Sequence, residues 1–262
     1  MLFGMPTLIE LDNLPACADL CRQLRLSFVE LNMNLPDFQP HKLRPDRLKS
    51  LADTYGIGYT IHTDENLNPF DFNPAVAQAY QTTLLHTIAL ALETGIPVIN
   101  LHVCPGVYFT LPGQRVYLYE KYKENYLTNV RELRRRCEEA IGSSRLLLCL
   151  ENTNWTAAPF LYQCVDLLLE SPVFALTYDV GHDCGTGGRD GVFIRDRQDR
   201  LKHMHLHDAG PNGDHLPLGQ GTVDIGDKLC LAANTGCRVV LETKTIGGLK
   251  QSVQYLRNQG LL

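Results

Sequence analysis

The sequence predicts an α/β protein, a (β/α)₈ TIM barrel formed by residues 1–262 as a single domain. Three observations predict it. Segments of strand and helix periodicity alternate eight times along the chain. No low-complexity linker or shift in composition interrupts them. Polar residues recur where the strand segments end, and in a closed parallel barrel all those ends open on one face. A doubly wound open sheet would want a Gly-rich turn after its first strand. The stretch Leu11–Pro15 reads LDNLP and does not supply one.

Phe3–Leu11 reads as the first strand, and Leu14–Leu24 follows with apolar residues at helical spacing. Leu26–Met33 is the second strand. Pro45–Tyr55 is a helix, with Pro at its first turn and Gly56 as its stop. Ile57–Thr63 is the third strand, and Pro74–Thr94 is a long helix closed by Gly95. Val98–Val103 is the fourth strand. Val116–Ile141 reads as one charged amphipathic helix ended by Gly142. Arg145–Asn152 is the fifth strand, Pro159–Glu170 a helix, and Val173–Val180 the sixth strand. A short helix is expected within Val192–Asp199. Leu201–Asp208 is the seventh strand, and a Gly/Pro-rich loop runs on from it. A helix over 225–235, a strand over Arg238–Thr243 and a helix over Gly248–Asn258 close the chain.

At 44% hydrophobic and 20% charged residues, the composition is that of a globular protein with a sizeable core. The net charge of −5 argues against a surface built to coat nucleic acid. Nine cysteines, an odd number without a CxxC pair, read as free thiols of a reducing compartment. The N-terminus lacks the pattern of a signal peptide, and no apolar run is long enough to span a membrane. The expectation is a cytoplasmic protein without membrane partners. Its oligomeric state stays open, a homo-oligomer included.

The stretch Leu201–Gly221 holds four of the nine histidines. His203, His205 and His207 alternate along a strand, so their rings share one face. A buried sheet face ordinarily carries Val, Ile and Leu. Imidazoles there point to metal or catalysis. At equivalent strand ends stand His62, His102, Glu151, Asp179, His205 and Glu242. Glu151, Asp179, His205 and Glu242 together make a hard, oxygen-rich site for a divalent metal: Mn²⁺, Mg²⁺, Co²⁺ or Zn²⁺. His182 and His215 are placed to hold further metal or to bind substrate. Two weaker features read as surface: the GTGGR loop at 185–189, and the aromatic, charged YLYEKYKENY at 117–126.

At these residues the chain resembles the xylose-isomerase-like barrels, which include sugar isomerases, sugar epimerases and endonuclease IV. The motifs are LCLENTN at 148–154, TYDVGH at 177–182, HMHLHDAG at 203–210, HLPLGQGTVD at 215–224 and VLET at 240–243. Earlier, TIHTDENLN at 60–68 and INLHVCPG at 99–106 fit the two other histidine strands. The resemblance implies a metal on Glu151, Asp179, His205 and Glu242, with His207 ranked below His205 and His203 deeper in the barrel. It implies that Glu151 and Glu242 are also the catalytic acid and base. His62, His102, His182, His215 and Lys244 are expected to contact substrate. Endonuclease IV-like members carry an Asp where this chain has Gly213, with Asp214 one place out of register. Keto-sugar epimerases carry an Arg after the seventh strand, and residues 208–219 contain none.

The expected function is therefore a metal-dependent isomerase or epimerase of a small-molecule sugar or sugar phosphate. It would act by proton transfer beside a chelated carbonyl. The alternatives are an endonuclease IV-like phosphodiesterase at abasic DNA and a barrel that binds a sugar-like ligand without turnover.

Overall fold

The structure, a computed structural model, describes residues 1–211 and 213–262; Asn212, in the loop after the seventh predicted strand, lies outside them. In chain order the elements begin with β1 (Leu2–Pro6), α1 (Leu14–Gln23), β2 (Phe28–Asn32), α2 (Pro45–Tyr55), β3 (Gly58–His62), α3 (Pro74–Thr94) and β4 (Val98–His102). Then come β5 (Tyr108–Leu111), β6 (Gln114–Tyr117), α4 (Leu118–Lys121), α5 (Lys123–Ile141), β7 (Leu147–Glu151), α6 (Phe160–Leu169) and β8 (Phe174–Asp179). The chain ends with α7 (Val180–Gly185), α8 (Arg189–Arg195), β9 (Leu201–Leu206), β10 (Asp208–Gly210), β11 (Gly213–Leu216), α9 (Ile225–Thr235), β12 (Arg238–Leu241) and α10 (Ile246–Asn258).

Eight parallel strands close a barrel in the order β1-β12-β9-β8-β7-β4-β3-β2. The expected (β/α)₈ TIM barrel is therefore the observed fold. The helix boundaries follow local chemistry. Asn73 caps α3 by accepting a hydrogen bond from the Ala75 amide at 3.1 Å, and Pro74 fills a first-turn position that needs no donor. Gly95 ends the same helix at φ +72°, a conformation that L side chains rarely adopt.

Alternation along the strands sorts the barrel interior into layers. Val98, Cys149 and Ala175 form a small apolar cluster at the floor. Two residues further along the same strands stand Asn100, Glu151 and Thr177, all buried. One more step brings His102 and Asp179 toward the C-terminal mouth. In the ladder register His102 stands opposite Glu151, and Asp179 opposite His205.

The first strand stops at Pro6 rather than Leu11. Residues 116–141 are not one helix: an antiparallel hairpin, β5–β6, precedes α4 and α5. Its turn holds Pro112 and Gly113, the latter at φ +81°, as a tight turn of this kind requires. The short helix expected at 192–199 starts earlier, at Arg189, and α7 precedes it. The 117–126 segment is also less of a surface than expected, because Tyr119 and Tyr126 are buried and stacked at 4.2 Å. All nine cysteines are free. Among the described residues no helix is long and apolar enough to cross a membrane.

Candidate metal centre

Four side chains from four neighbouring strands meet at His205. Its Nδ1 lies 3.1 Å from Glu242 Oε2, 3.4 Å from Glu151 Oε2 and 3.7 Å from Asp179 Oδ2. Ligands about 2.0–2.2 Å from one cation stand roughly 3.0–3.6 Å apart, so these separations fall at or just beyond that range. Within the described residues, His205 Nδ1 and Glu242 Oε2 are buried without a hydrogen-bond partner. Buried polar atoms ordinarily find one. Orphaned donors converging on one point fit a divalent cation, and the residues present suit that group.

The electrostatics agree. Burial opposes charge on Glu151, yet His102 and His205 hold its carboxyl well below the ordinary range. Asp179 is lowered in the same way by His207 and His205. Glu242 is lowered by His205 and Lys244. Conversely, burial works against an imidazolium at His205, and Glu151, Glu242 and Glu30 outweigh it, raising its pKa. Three ionised carboxylates around one ring nitrogen create a demand for positive charge in a dry site.

The other histidines divide by their hydrogen bonds. His62, His182 and His215 each donate Nδ1–H to a backbone carbonyl: Thr63 at 2.8 Å, Asn152 at 3.1 Å and Glu242 at 3.1 Å. That commits Nδ1 as a donor and makes Nε2 the nitrogen that exchanges a proton or takes a ligand. His62 Nε2 is 3.4 Å and His102 Nε2 3.3 Å from Glu151 Oε2. His207 differs. Its Nδ1 lies 2.8 Å from the His215 amide nitrogen and 3.3 Å from the Asp208 carbonyl oxygen, and its Nε2 donates toward Asp179 Oδ2 at 3.3 Å. His207 braces a carboxylate, whereas His205 presents a nitrogen without a hydrogen-bond partner to three.

A cleft of about 760 Å³ opens above this centre. His102 and His182 line it, together with Thr153, Asn154, Asp214 and Thr222. His62 is buried beside His102, their rings edge to face at 5.0 Å. His215 stacks on His207 at 4.2 Å. Lys244 stands elsewhere. Its ammonium is 3.0 Å from Glu242 Oε1, and it borders a separate crevice with Pro6 and Asn32. Asp214, one place out of register in the sequence, has a carboxylate oxygen within 4.8 Å of ligand nitrogens on His182 and His215. A register irregularity between β10 and β11 accompanies that placement.

Sequence reasoning missed Glu30, Asn100 and Asn152. Asn100, fully buried, donates to Glu151 Oε2 and accepts from Thr177 Oγ1 at 2.5 Å. Asn152 pairs with the backbone of Asp179 through both ends of its amide, at 2.9 and 2.7 Å. Glu30 contacts both His203 and His205. The available signal was a lone Glu or Asn at an inward position of an apolar strand, where an unpaired polar group is costly.

Solved structures of similar shape include several whose names are those of sugar epimerases. A D-tagatose 3-epimerase-like protein superposes with a TM-score of 0.77 at 20% identity, covering 100% of this chain and 98% of its own. A 3-keto-D-glucoside 4-epimerase from E. coli gives 0.73 at 16% identity, covering 98% of this chain and 99% of its own. The IOLI protein, solved with a binding zinc atom, gives 0.73 at 15% identity, covering 100% and 97%. No curated protein sequence matches significantly. The xylose isomerase-like TIM barrel family matches residues 18–259, nearly the whole of the barrel just described. With that match, and with the closed eight-stranded barrel to carry it, the chain belongs to the xylose isomerase-like TIM barrel family.

Proposed function

We propose that this protein is a divalent-metal-dependent sugar isomerase or epimerase, and that Glu151, Asp179, His205 and Glu242 hold the metal. The observation that carries the reading is the meeting of three carboxylates on one unpartnered His205 nitrogen beneath an open cleft. The printed names of the structural neighbours, sugar epimerases among them, lend it support.

A cation at this site, whether Mn²⁺, Mg²⁺, Co²⁺ or Zn²⁺, would supply Lewis-acid polarisation of a carbonyl and its neighbouring hydroxyl. The protein's own groups do the proton transfer. Glu151 and Glu242 are held ionised by the histidines around them, so each is ready to accept a proton from carbon. One glutamate takes the proton and the other returns one. Lys244 bridges Glu242 to solvent, since its ammonium touches Oε1 while its side chain is 59% exposed.

The substrate we infer is an unphosphorylated sugar. The polar side chains lining the cleft are hydroxyl, amide, imidazole, one thiol and one carboxylate, and among the described residues no Arg or Lys lines it. Hydroxyls and amides suit a polyol, whereas a phosphate dianion calls for a cation. The −5 net charge disfavours nucleic acid as a partner. A cytoplasmic location fits nine free cysteines. The test is an epimerisation and isomerisation screen of neutral ketoses and aldoses with metal-reconstituted protein. Interconversion of at least one pair supports the reading. Inertness toward every sugar, with tightly bound metal, counts against it.

A second reading has its own observation. His62, Glu151 and His205 form one group of converging ligand atoms, and His182, Asp214 and His215 form another. Each resembles a further metal position, as in a three-metal phosphodiesterase. Metal stoichiometry separates the two: about one ion per chain favours the isomerase, and about three favours hydrolysis, to be followed by incision assays on abasic duplex DNA.

A further inference from the structure

The strand β2 carries a carboxylate that no motif pointed to. Glu30 is 2% exposed, in the middle of the barrel. Its Oε2 accepts from Thr60 Oγ1 at 3.0 Å and lies 2.8 Å from His203 Nε2. Its Oε1 lies 2.9 Å from His205 Nε2, short but off the N–H axis. So one buried carboxylate faces two alternate histidines of β9.

These distances separate two roles. Glu30, His203 and His205 bring ligand atoms together closely enough to suggest another metal pocket. Yet 2.8 and 2.9 Å are N–H···O distances, shorter than the roughly 3.0–3.6 Å that two ligands of one cation keep. On the opposite edge of the same ring, Nδ1 keeps 3.1 to 3.7 Å from its three carboxylates. The ring of His205 therefore faces one carboxylate closely through Nε2 and three more distant ones through Nδ1.

We propose that Glu30 is a positioning residue for the metal. It holds the His205 hydrogen at Nε2 and so commits Nδ1 to the cation. Its second oxygen, tied to His203 and Thr60, fixes the carboxylate in place. His203 is then the anchor of the arrangement and does not bind the ion. A carboxylate behind a ligating imidazole sets tautomer and ring orientation and raises the ligand's basicity. The inference rests on the proposal that His205 is a metal ligand, and it does not depend on which reaction follows.

The test is zinc affinity by chelator competition, with chelator-stripped wild type and Glu30→Gln. Glutamine keeps the shape and one acceptor but turns an amide donor toward the other histidine. Affinity is expected to fall about 10- to 100-fold. Unchanged affinity in folded Glu30→Gln overturns the proposal. Should that variant fail to fold, ¹⁵N-histidine NMR of the zinc-loaded wild type decides instead, with His205→Gln assigning the signal. Hydrogen on Nε2 and zinc on Nδ1 support the role. The reverse tautomer overturns it. A wild type that takes up no zinc removes the quartet and this role together. Tight zinc with no sugar turnover removes only the proposed reaction.

Discussion

His205 Nδ1 and Glu242 Oε2 face each other at 3.1 Å, both buried, and neither has a hydrogen-bond partner among the described residues. Two ligands of one cation stand in this relationship. Glu151 and Asp179 complete it from the next strands around the barrel. The predictions below follow from that convergence.

Asp179→Asn should weaken divalent-metal binding at least tenfold, because loss of a supporting residue alone commonly costs that much. The side chain stays the same size, so the barrel should persist. Calorimetric titration with Mn²⁺ measures it. Equal affinity in wild type and variant would remove Asp179 from the metal site.

Metal affinity should rise with pH. The carboxylates raise the pKa of His205 above its ordinary value. Below that raised pKa the ring holds a proton, and a cation must displace it. Affinity is therefore weakest in acid, climbs as pH rises through the His205 pKa, and levels off above it. Below the raised His205 pKa the expected slope is about tenfold per pH unit for each proton released. Mn²⁺ titrations in buffers of different ionisation enthalpy give both the slope and the proton count. A flat profile contradicts the displacement.

Gly181→Ala should cost about 1–3 kcal/mol of stability, as overpacking of a tight core does. A Cβ built at Gly181 comes within 1.9 Å of His207 Cε1. His207 braces Asp179, so metal affinity should drop as well. Gly185→Ala is the control, since nothing lies within 4 Å of its Cβ. Urea midpoints compare the two. Equal midpoints would mean that His207 yields without cost.

The cleft should prefer a neutral sugar to its phosphate ester. Among the described residues its lining holds Asp214 and no Arg or Lys. At saturating metal, a phosphorylated form of the best substrate should show a KM at least about tenfold higher, for want of a charge-assisted hydrogen bond. The opposite preference would place a metal, not the cleft wall, in contact with the phosphate.

Much of this was legible in the sequence, for identifiable reasons. The barrel showed because buried parallel strands and capped helices leave strong periodic signals, as at Pro74–Thr94. The proposed quartet could be named because its members stand at or beside the ends of their strands, next to loops. Glu30 and Asn100 did not show. Each is a single polar residue inside an apolar strand, and only the closed barrel tells which histidine or carboxylate it faces. The β5–β6 hairpin was hidden by charged and aromatic residues that also suit a helix, although Pro112–Gly113 marked its turn.

The central claim is proton transfer between Glu151, Glu242 and a carbon beside a carbonyl. Its most direct measurement is solvent deuterium in the recovered sugar after turnover in D₂O, for wild type, Glu151→Gln and Glu242→Gln. Wild type should place one deuterium on the carbon next to the carbonyl. Either variant, still folded, should lose about 10²- to 10⁴-fold in turnover, and the label with it. Wild-type turnover without label under single-turnover conditions, or normal turnover by Glu242→Gln, would contradict the account.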